Sequence, residues 1–349
     1  MKRELSWLLP CVALLPSLSL ADHIIEIRVS AKIIELRGGG SPQGSGDIAQ
    51  SLDIINDRLD QNGRGYRLVL VDPIISVGGD FDTARPSPSH YAFDNIVSNP
   101  GERPNMEADA EANPALWAWN FTALNIYLHG PTQGLECTYP ESDLVIIGSR
   151  DVIRSSMVEH QIGHFFGLCN SQGCNCSCCG TDDGVRECTS PGSDGIADTL
   201  PDLPCWREDT LAEFNFGTTY NNLTAEQRDR VDKAIRNVMS FRGANPIQCG
   251  EGPAGIYLTE GQLDRWADVA STSRVGACDG RTFFVQAGAG GIQTGRSGVP
   301  FDRVIEGVTA ANSGGDIIMI RAGTYPERLT IRNPVTLRVP RGQTARIGQ

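Results

Sequence analysis

Two histidines that stand four residues apart are the side chains of this sequence with the clearest capacity for chemistry. They are His160 and His164, within the segment MVEHQIGHFFGLCN at residues 157–170. Side chains four residues apart lie one above the other on an α-helix, so both imidazoles can bind one metal ion. Gly167 follows three residues later, where a helix can end and the backbone can turn back toward that ion. Because neutral imidazole is a common zinc ligand, the segment predicts a zinc-binding helix.

The residues that hydrolysis at such a site requires are replaced. In the spacing HExxHxxGxxH the Glu is the general base and the last His is the third zinc ligand. Gln161 stands at the first of these positions and Asn170 at the second. An amide has no useful basicity at neutral pH, and the missing proton transfer is worth roughly 10²–10⁴-fold in rate. Glu159 does not replace it, because at about 100° per residue it lies on the opposite side of the histidine pair.

The third ligand is left open by the sequence. No histidine follows His164, and the amide oxygen of Asn170 is a poor zinc ligand beside His, Cys or carboxylate. Other nearby candidates are Cys169, Cys174, Asp182 and Asp183.

Apolar periodicity predicts the elements that must position the helix. Residues 24–37 and 66–77 are predicted strands, the second broken at Pro73, and residues 48–59 between them have helical spacing. Strand, helix and strand in this order predict two parallel strands joined by a crossover. Further strands are predicted at 124–128 and 144–147, and the two-histidine helix at 154–166. Two more helices are predicted, one capped by Thr224 that ends near residue 236 and one capped by Thr259 that ends near residue 270. Residues 78–113 are expected to form loops, and residues 169–222 an irregular Cys-rich stretch.

The N-terminus predicts export. Residues 1–21 combine a basic start, an apolar stretch and the small-residue site Ser19-Leu20-Ala21, which is typical of a signal peptide; an uncleaved anchor is the alternative. We therefore expect a secreted, extracellular protein with no membrane span after signal removal. Ten cysteines remain, and an even number in an exported chain favours disulfides over a thiolate metal cluster. They are Cys137, Cys169, Cys174, Cys176, Cys178, Cys179, Cys188, Cys205, Cys249 and Cys278.

The charge balance disfavours some partners. Removal of residues 1–21, which carry Lys2, Arg3 and Glu4, leaves 28 basic against 41 acidic side chains and a charge of −13. An acidic surface of that size disfavours nucleic acid and anionic membranes.

Four segments together resemble one family. The two-histidine segment resembles the active-site helix of the metzincin metallopeptidases, the pappalysin group in particular. Residues 237–241 (NVMSF) resemble the turn that these enzymes place beneath the zinc, with Met239 as its methionine, and residues 192–199 (GSDGIADT) are similar to a pappalysin loop. The helix from Thr259 resembles the one that closes the catalytic domain.

This resemblance covers residues 22–270 and implies an α+β fold, in which a twisted sheet carries the active-site helix and zinc lies in a cleft between two subdomains. It implies zinc ligands at His160 and His164, with Gln161 and Asn170 at the changed positions of base and third ligand. Asp194 and Asp198, with Asp202, are candidates for calcium binding, the alternative being a solvated turn.

A composition change at residues 271–282 predicts a linker. Beyond it, short predicted strands at 316–320, 328–331 and 335–339 resemble the opening coils of right-handed parallel β-helix proteins. We therefore expect residues 283–349 to form a small all-β segment. No catalytic residue can be assigned to it, so a role as a spacer or surface-attachment module is the alternative to an enzymatic role.

Three functions follow as hypotheses. The first is a secreted, pappalysin-like zinc metalloendopeptidase with weak activity that acts on a peptide or protein substrate. The second is a catalytically silent pseudo-protease that binds a peptide or protein in the cleft. A third alternative is an adhesion protein that acts through the C-terminal segment.

Overall fold

The computed structural model describes residues 24–35, 45–78, 84–91, 103–129, 144–148, 155–171, 194–202, 205–240, 249, 255–312 and 315–348. The predicted signal peptide and most of the Cys-rich stretch, with Cys174, Asp182 and Asp183, lie outside these residues.

This part of the chain forms ten strands and eight α-helices. The strands are β1 (Ile25–Ile34), β2 (Tyr66–Leu70), β3 (Ile75–Val77), β4 (Leu124–His129), β5 (Leu144–Gly148), β6 (Thr282–Val285), β7 (Ile317–Ile320), β8 (Gly323–Tyr325), β9 (Thr336–Arg338) and β10 (Ala345–Ile347). The helices are α1 (Ser45–Asn62), α2 (Arg103–Ala112), α3 (Pro114–Trp117), α4 (Ser155–Phe165), α5 (Glu208–Phe216), α6 (Ala225–Ile235), α7 (Glu260–Ala270) and α8 (Val304–Ala310). The expectation of mixed α and β structure is confirmed.

The first sheet has five strands, and every named pair in it is parallel. Its order is β2-β1-β4-β5, and β3 pairs with β1 beyond the end of β2. Val29 pairs with Leu70 on one side and with Leu124 on the other, so β1 is the central strand. Parallel neighbours need crossover connections, which agrees with the predicted order of β1, α1 and β2.

The two faces of this sheet carry two separate cores, because successive side chains of a strand point to opposite faces. Ile27, Ala31 and Ile33 of β1 pack with helices α1, α4 and α7, and the ring of Phe166 stacks on Trp266 at 4.3 Å. The opposite face packs Tyr127 against Trp117 and Met106. Helix α4, which carries the two histidines, therefore lies on the α1 side of the sheet.

The C-terminal residues form two small parallel sheets, β6-β7-β9 and β8-β10. Phe284, Ile317 and Met319 are buried in the same core as the helices of the first sheet. The hydroxyls of Tyr66 and Thr282 share a hydrogen bond of 2.7 Å across this boundary. Residues on both sides of the predicted linker thus share one core.

Four predictions differ from the structure. Residues 78–113 were expected as loops but contain α2, in which Met106 and Ala110 are the buried side chains among residues 105–112, so the apolar signal is weak. The stretch 169–222 contains α5. The C-terminal segment is not all-β, because α8 buries Val304, Gly307 and Val308. The strand expected at 328–331 is wrong, since the pairing strand is β8, anchored by the buried ring of Tyr325.

The expectation of disulfides is met by one described bond, Cys205–Cys249. Cys169 is also disulfide-bonded. Cys278 is a free thiol in the core, and burial raises its pKa to about 12. None of the helices in the described residues combines the length and apolar character that crossing a bilayer requires.

Candidate metal centre

Helix α4 ends where the sequence predicted a turn. The N–H of Gly167 donates to the carbonyl of His164 at 2.8 Å, and the N–H of Leu168 donates to the carbonyl of Gly163 at 3.0 Å. Gly167 has φ of 74°, the left-handed conformation that glycine adopts without strain. The turn brings the backbone of Leu168 back onto the helix, next to the last histidine.

The two histidine rings converge. Their Nε2 atoms lie 2.9 Å apart and the ring planes are at 87°. Nδ1 of His160 lies 2.8 Å from the carbonyl oxygen of Val238, and Nδ1 of His164 lies 2.7 Å from that of Leu168. A carbonyl only accepts hydrogen bonds, so each Nδ1 carries the proton of its neutral ring.

This assignment leaves both Nε2 atoms with lone pairs that face each other. Burial lowers the pKa of His160 to about 4, against the Val238 carbonyl. Burial and the adjacent His160 ring lower the pKa of His164 to about 3, against the Leu168 carbonyl and the Asn170 side chain. At neutral pH neither ring supplies a second proton to bridge the pair, so the arrangement is suited to a shared cation.

The pair matches the ligand chemistry of zinc and similar ions. Histidine ligands usually donate their other ring N–H to a carbonyl or carboxylate, and both rings have that partner here. Two nitrogens bound to one tetrahedral zinc ion at about 2.0–2.1 Å are about 3.3 Å apart. A separation of 2.9 Å therefore requires the rings to open by only a few tenths of an ångström.

Asn170, whose side chain hydrogen-bonds His164, is a candidate for a further oxygen donor. Its amide oxygen is buried and has no hydrogen-bond partner in the part of the chain that is described. A buried acceptor without a donor is costly, and a cation would satisfy it. Cys169, another candidate from the sequence, is disulfide-bonded and so is not a free thiolate.

Met239 lies against helix α4 between the two histidines. A Cβ added at Gly163 would lie 2.5 Å from the sulfur of Met239, so the absence of a side chain at 163 makes room for the methionine. Met239 is fully buried, and the preceding Val238 holds the ring of His160. The structure thus brings together the three residues that the resemblance associated, His160, His164 and Met239.

A buried polar network fixes the turn that contains Met239. The N–H of Met239 donates to Oδ1 of Asn237 at 2.8 Å, and Nδ2 of Asn237 donates to Oε1 of Gln262 at 2.8 Å. Nε2 of Gln262 in turn donates to Asp194 at 3.1 Å. On the other side, the N–H of Ser171 donates to the carbonyl of Met239 at 3.0 Å.

Neither Gln161, at the position of the general base, nor the nearby Glu159 offers a free carboxylate to the histidine pair. Gln161 is buried next to the pair and is an amide. The carboxylate of Glu159 bonds Arg58 of helix α1 at 2.5 Å, as its predicted place on the far side of the helix requires. Burial raises the pKa of Glu159 to about 7, while Arg58 opposes that change.

The three aspartates considered for calcium accept hydrogen bonds from the protein. Asp194 accepts from the N–H of Ile196 and from Gln262, and burial raises its pKa. Asp198 accepts from the hydroxyl of Thr259 at 2.8 Å and the N–H of Gly261 at 3.0 Å, at the N-terminus of α7.

Asp202 accepts from the hydroxyl of Ser171 at 3.1 Å, and burial raises its pKa to about 7. In the described ranges, no group of three or more His, Cys, Asp or Glu side chains is arranged to hold a metal ion. The aspartates therefore have a visible role as tethers of loop 194–202 to α7 and to the Met239 turn.

Sequence reasoning did not identify the groups that orient the histidines. The carbonyls of Val238 and Leu168 leave no mark in the sequence, because every residue has one. Asn237 had a recognisable signal, since Asn side chains commonly bond a backbone N–H two residues on. Gln262 was detectable as the third position of a capping box that begins at Thr259, but its bond to Asn237 was not.

Comparison with known proteins adds no family to this geometry. No protein-family model matches the chain, and no curated protein sequence matches it.

Proposed function

We propose that this chain is a metal-binding protein with a metzincin-like, pappalysin-like scaffold, and that it is a pseudo-protease with little or no peptide hydrolysis. The observation that carries the proposal is the approach of two unprotonated Nε2 atoms, 2.9 Å apart, each on a ring held by a backbone carbonyl. Both rings stay neutral over the physiological pH range, so each Nε2 offers a lone pair to a cation placed between them.

The residues that would hold the ion are His160 and His164, with the amide oxygen of Asn170 as the third donor. When bound, zinc would supply Lewis acidity to the site. The carbonyls of Val238 and Leu168 fix the tautomer and orientation of the rings. Because an amide oxygen is a weak zinc ligand, we expect lower zinc affinity than three histidines would give.

The lack of a base supports the pseudo-protease. Gln161 accepts and donates hydrogen bonds but takes up no proton at neutral pH. The neighbouring carboxylate of Glu159 is committed to Arg58. We further propose that the protein is secreted, as residues 1–21 predict. From the resemblance to metzincins we also propose a peptide or protein segment as its partner and calcium binding at loop 194–202.

The test combines metal content with peptide cleavage in five proteins. These are the natural chain, His164→Ala, Gln161→Glu, the double variant Gln161→Glu with Asn170→His, and Gln50→Glu as a control on the exposed face of α1. Each is loaded with zinc, dialysed and analysed by mass spectrometry for zinc, and its cleavage of a mixed peptide library is followed.

We expect the natural chain to retain zinc and His164→Ala to lose it. Gln161→Glu leaves zinc content unchanged and the double variant raises zinc affinity at least tenfold. Cleavage appears in the double variant, about 10²–10⁴-fold above the natural chain, because a base is restored. The control behaves as the natural chain does.

Two results contradict the proposal. If the natural chain and His164→Ala retain equal amounts of zinc, the histidine pair is not the metal site. If the natural chain cleaves peptides at a rate that Gln161→Glu does not increase, the protein is an active peptidase with another base.

A further inference from the structure

A break between two strands opens a pocket on the sheet face opposite helix α4. β2 pairs with β1 up to Val29, and β3 resumes pairing at Lys32. Residues 71–74 between them leave the sheet at Asp72 and Pro73. A surface pocket of about 580 Å³ lies at this break, within the range of small-molecule sites.

The floor of the pocket holds two opposite charges on either side of Ser30. Nζ of Lys32 donates to the carbonyl of Ser30 at 3.2 Å and to Oδ1 of Asn125 at 2.5 Å. The hydroxyl of Ser30 donates to Oδ2 of Asp72 at 2.5 Å, and Nδ2 of Asn120 donates to the same oxygen at 2.9 Å. Lys32 is almost fully buried, whereas Asp72 is partly exposed to the pocket.

Each charge is set by these neighbours. Burial lowers the pKa of Lys32 to about 7, against the attraction of Asp72. Hydrogen bonds from Ser30 and Asn120 lower the pKa of Asp72, so its carboxylate stays ionised. A buried amine gains stability in its charged form when a further anion approaches it.

The walls of the pocket are apolar and aromatic. Phe121 is 67% exposed and meets the edge of Trp119 at 6.4 Å between ring centroids. Ile75 is 45% exposed on another side of the pocket. The indole nitrogen of Trp119 is buried and has no hydrogen-bond partner in the described residues, which is a cost that an added acceptor would relieve.

We propose that this pocket binds a free α-amino acid with an apolar side chain. The ammonium of the ligand lies on Asp72, its carboxylate faces Lys32, and its side chain packs on Phe121 and Ile75. Asp72 and Lys32 carry opposite charges and both contact Ser30, beside the exposed ring of Phe121. A zwitterion with an apolar side chain is the ligand class that matches this arrangement. The site lies on the other side of the sheet from the histidines, so it does not depend on the metal proposal.

The test measures binding of three related probes by calorimetry and ligand-observed NMR. L-Phenylalanine carries both charges, N-acetyl-L-phenylalanine lacks the ammonium and resembles a peptide C-terminus, and L-phenylalaninamide lacks the carboxylate and resembles a peptide N-terminus. We expect L-phenylalanine to bind with a Kd of roughly 0.1–1 mM and both analogues to bind at least tenfold more weakly.

Variants locate the binding. Phe121→Ala, which truncates a largely exposed side chain, weakens L-phenylalanine binding at least fivefold. Asp72→Asn weakens L-phenylalanine at least tenfold and leaves N-acetyl-L-phenylalanine unchanged. Phe214→Ala, an exposed aromatic position on α5, binds as the natural chain does. Lys32→Met removes the ammonium that faces the carboxylate of the ligand and should weaken L-phenylalanine binding. Its circular dichroism spectrum must match that of the natural chain for this comparison.

Several outcomes overturn the proposal. Absence of L-phenylalanine binding at about 10 mM, a concentration well above the expected Kd, removes the site. If either analogue binds as tightly as L-phenylalanine, the ligand is a peptide terminus and not a free amino acid. Unchanged affinity in both Phe121→Ala and Asp72→Asn places any binding elsewhere.

Discussion

The sulfur of Met239 occupies the space that a side chain at position 163 would need. A Cβ built on Gly163 would lie 2.5 Å from that sulfur, closer than real Cβ contacts occur. Since Gly163 lies between His160 and His164 on one helix, the methionine sets how closely the helix approaches the turn at 237–240. The carbonyl of Val238, next to Met239, then meets the ring of His160. Packing of a glycine against a sulfur thus determines the orientation of a candidate ligand.

We predict strong coupling between positions 163 and 239. Gly163→Ala alone destabilises the protein by about 1–3 kcal/mol through overpacking. Met239→Ala alone costs about 2–5 kcal/mol through the cavity it leaves. In the Met239→Ala background the collision is gone, and Gly163→Ala becomes neutral or stabilising by up to about 1 kcal/mol, because alanine favours helix. Urea unfolding of the four proteins measures the coupling.

The control for this cycle is Met106→Ala, which removes a buried methionine from the other core. Gly163→Ala should cost the same in that background as in the natural chain. An equal cost in the Met239→Ala background would show that the collision does not govern stability.

We predict that Asp202 makes the protein less stable as pH rises from about 4 to about 7. Burial raises the pKa of this carboxyl to about 7 in the folded state, so the folded protein binds its proton more tightly than the unfolded chain does. The stabilisation is complete below the unfolded pKa, near 4, and is lost as pH passes the folded pKa. Asp202→Asn should therefore be more stable than the natural chain by about 1–3 kcal/mol at pH 8, and not at pH 4.

Denaturant unfolding at both pH values measures this difference, with the exposed Asp53→Asn as the control. Equal stability of the natural chain and Asp202→Asn at pH 8 would mean that the Ser171 hydroxyl compensates the buried charge in full.

We predict that residues before the linker region do not fold stably without those after it. A chain that ends at Ser273 loses Phe284, Ile317 and Met319 from the core around Trp266. Each buried side chain of this size contributes about 1.5–3 kcal/mol, a large part of the stability of a typical domain. Circular dichroism, dye binding and limited proteolysis should report a loosely packed chain.

A chain that ends at Val339 is the matched control. It removes β10 but keeps β6, β7 and β9, so it should unfold cooperatively with a modest loss of stability. A cooperative transition of native midpoint in the shorter chain would show that the two parts are independent.

Local signals in the sequence predicted local structure well. Thr224 and Thr259 both form capping boxes with the residue three positions on, and their helices begin at Ala225 and Glu260. The strand predicted at 124–128 forms as Leu124–His129, and the turn at Gly167 was also predicted, because apolar patterning and glycine act over a few residues. α2 was not, since its polar sequence becomes helical by packing two side chains on a distant strand.

The candidate site shows the same division. The spacing of His160 and His164 and the place of Met239 were readable because a motif records them. The bonds from Asn237 to Gln262 and from Lys32 to Asn125 join residues that are far apart in the sequence. Their geometry depends on the tertiary fold, and no periodicity in a single chain encodes it.

The central place of β1 has a consequence during synthesis. The edge of β1 that pairs with β4 stays unpaired until Leu124, the partner of Val29, has been synthesised. At about 5–20 residues per second, the intervening chain takes on the order of 5–20 s to emerge from the ribosome. For that time a strand of sequence IEIRVSAKII presents an open apolar edge. Such an edge can pair with other nascent chains, so yield in a heterologous host should improve with slower initiation or with chaperones that shield extended segments.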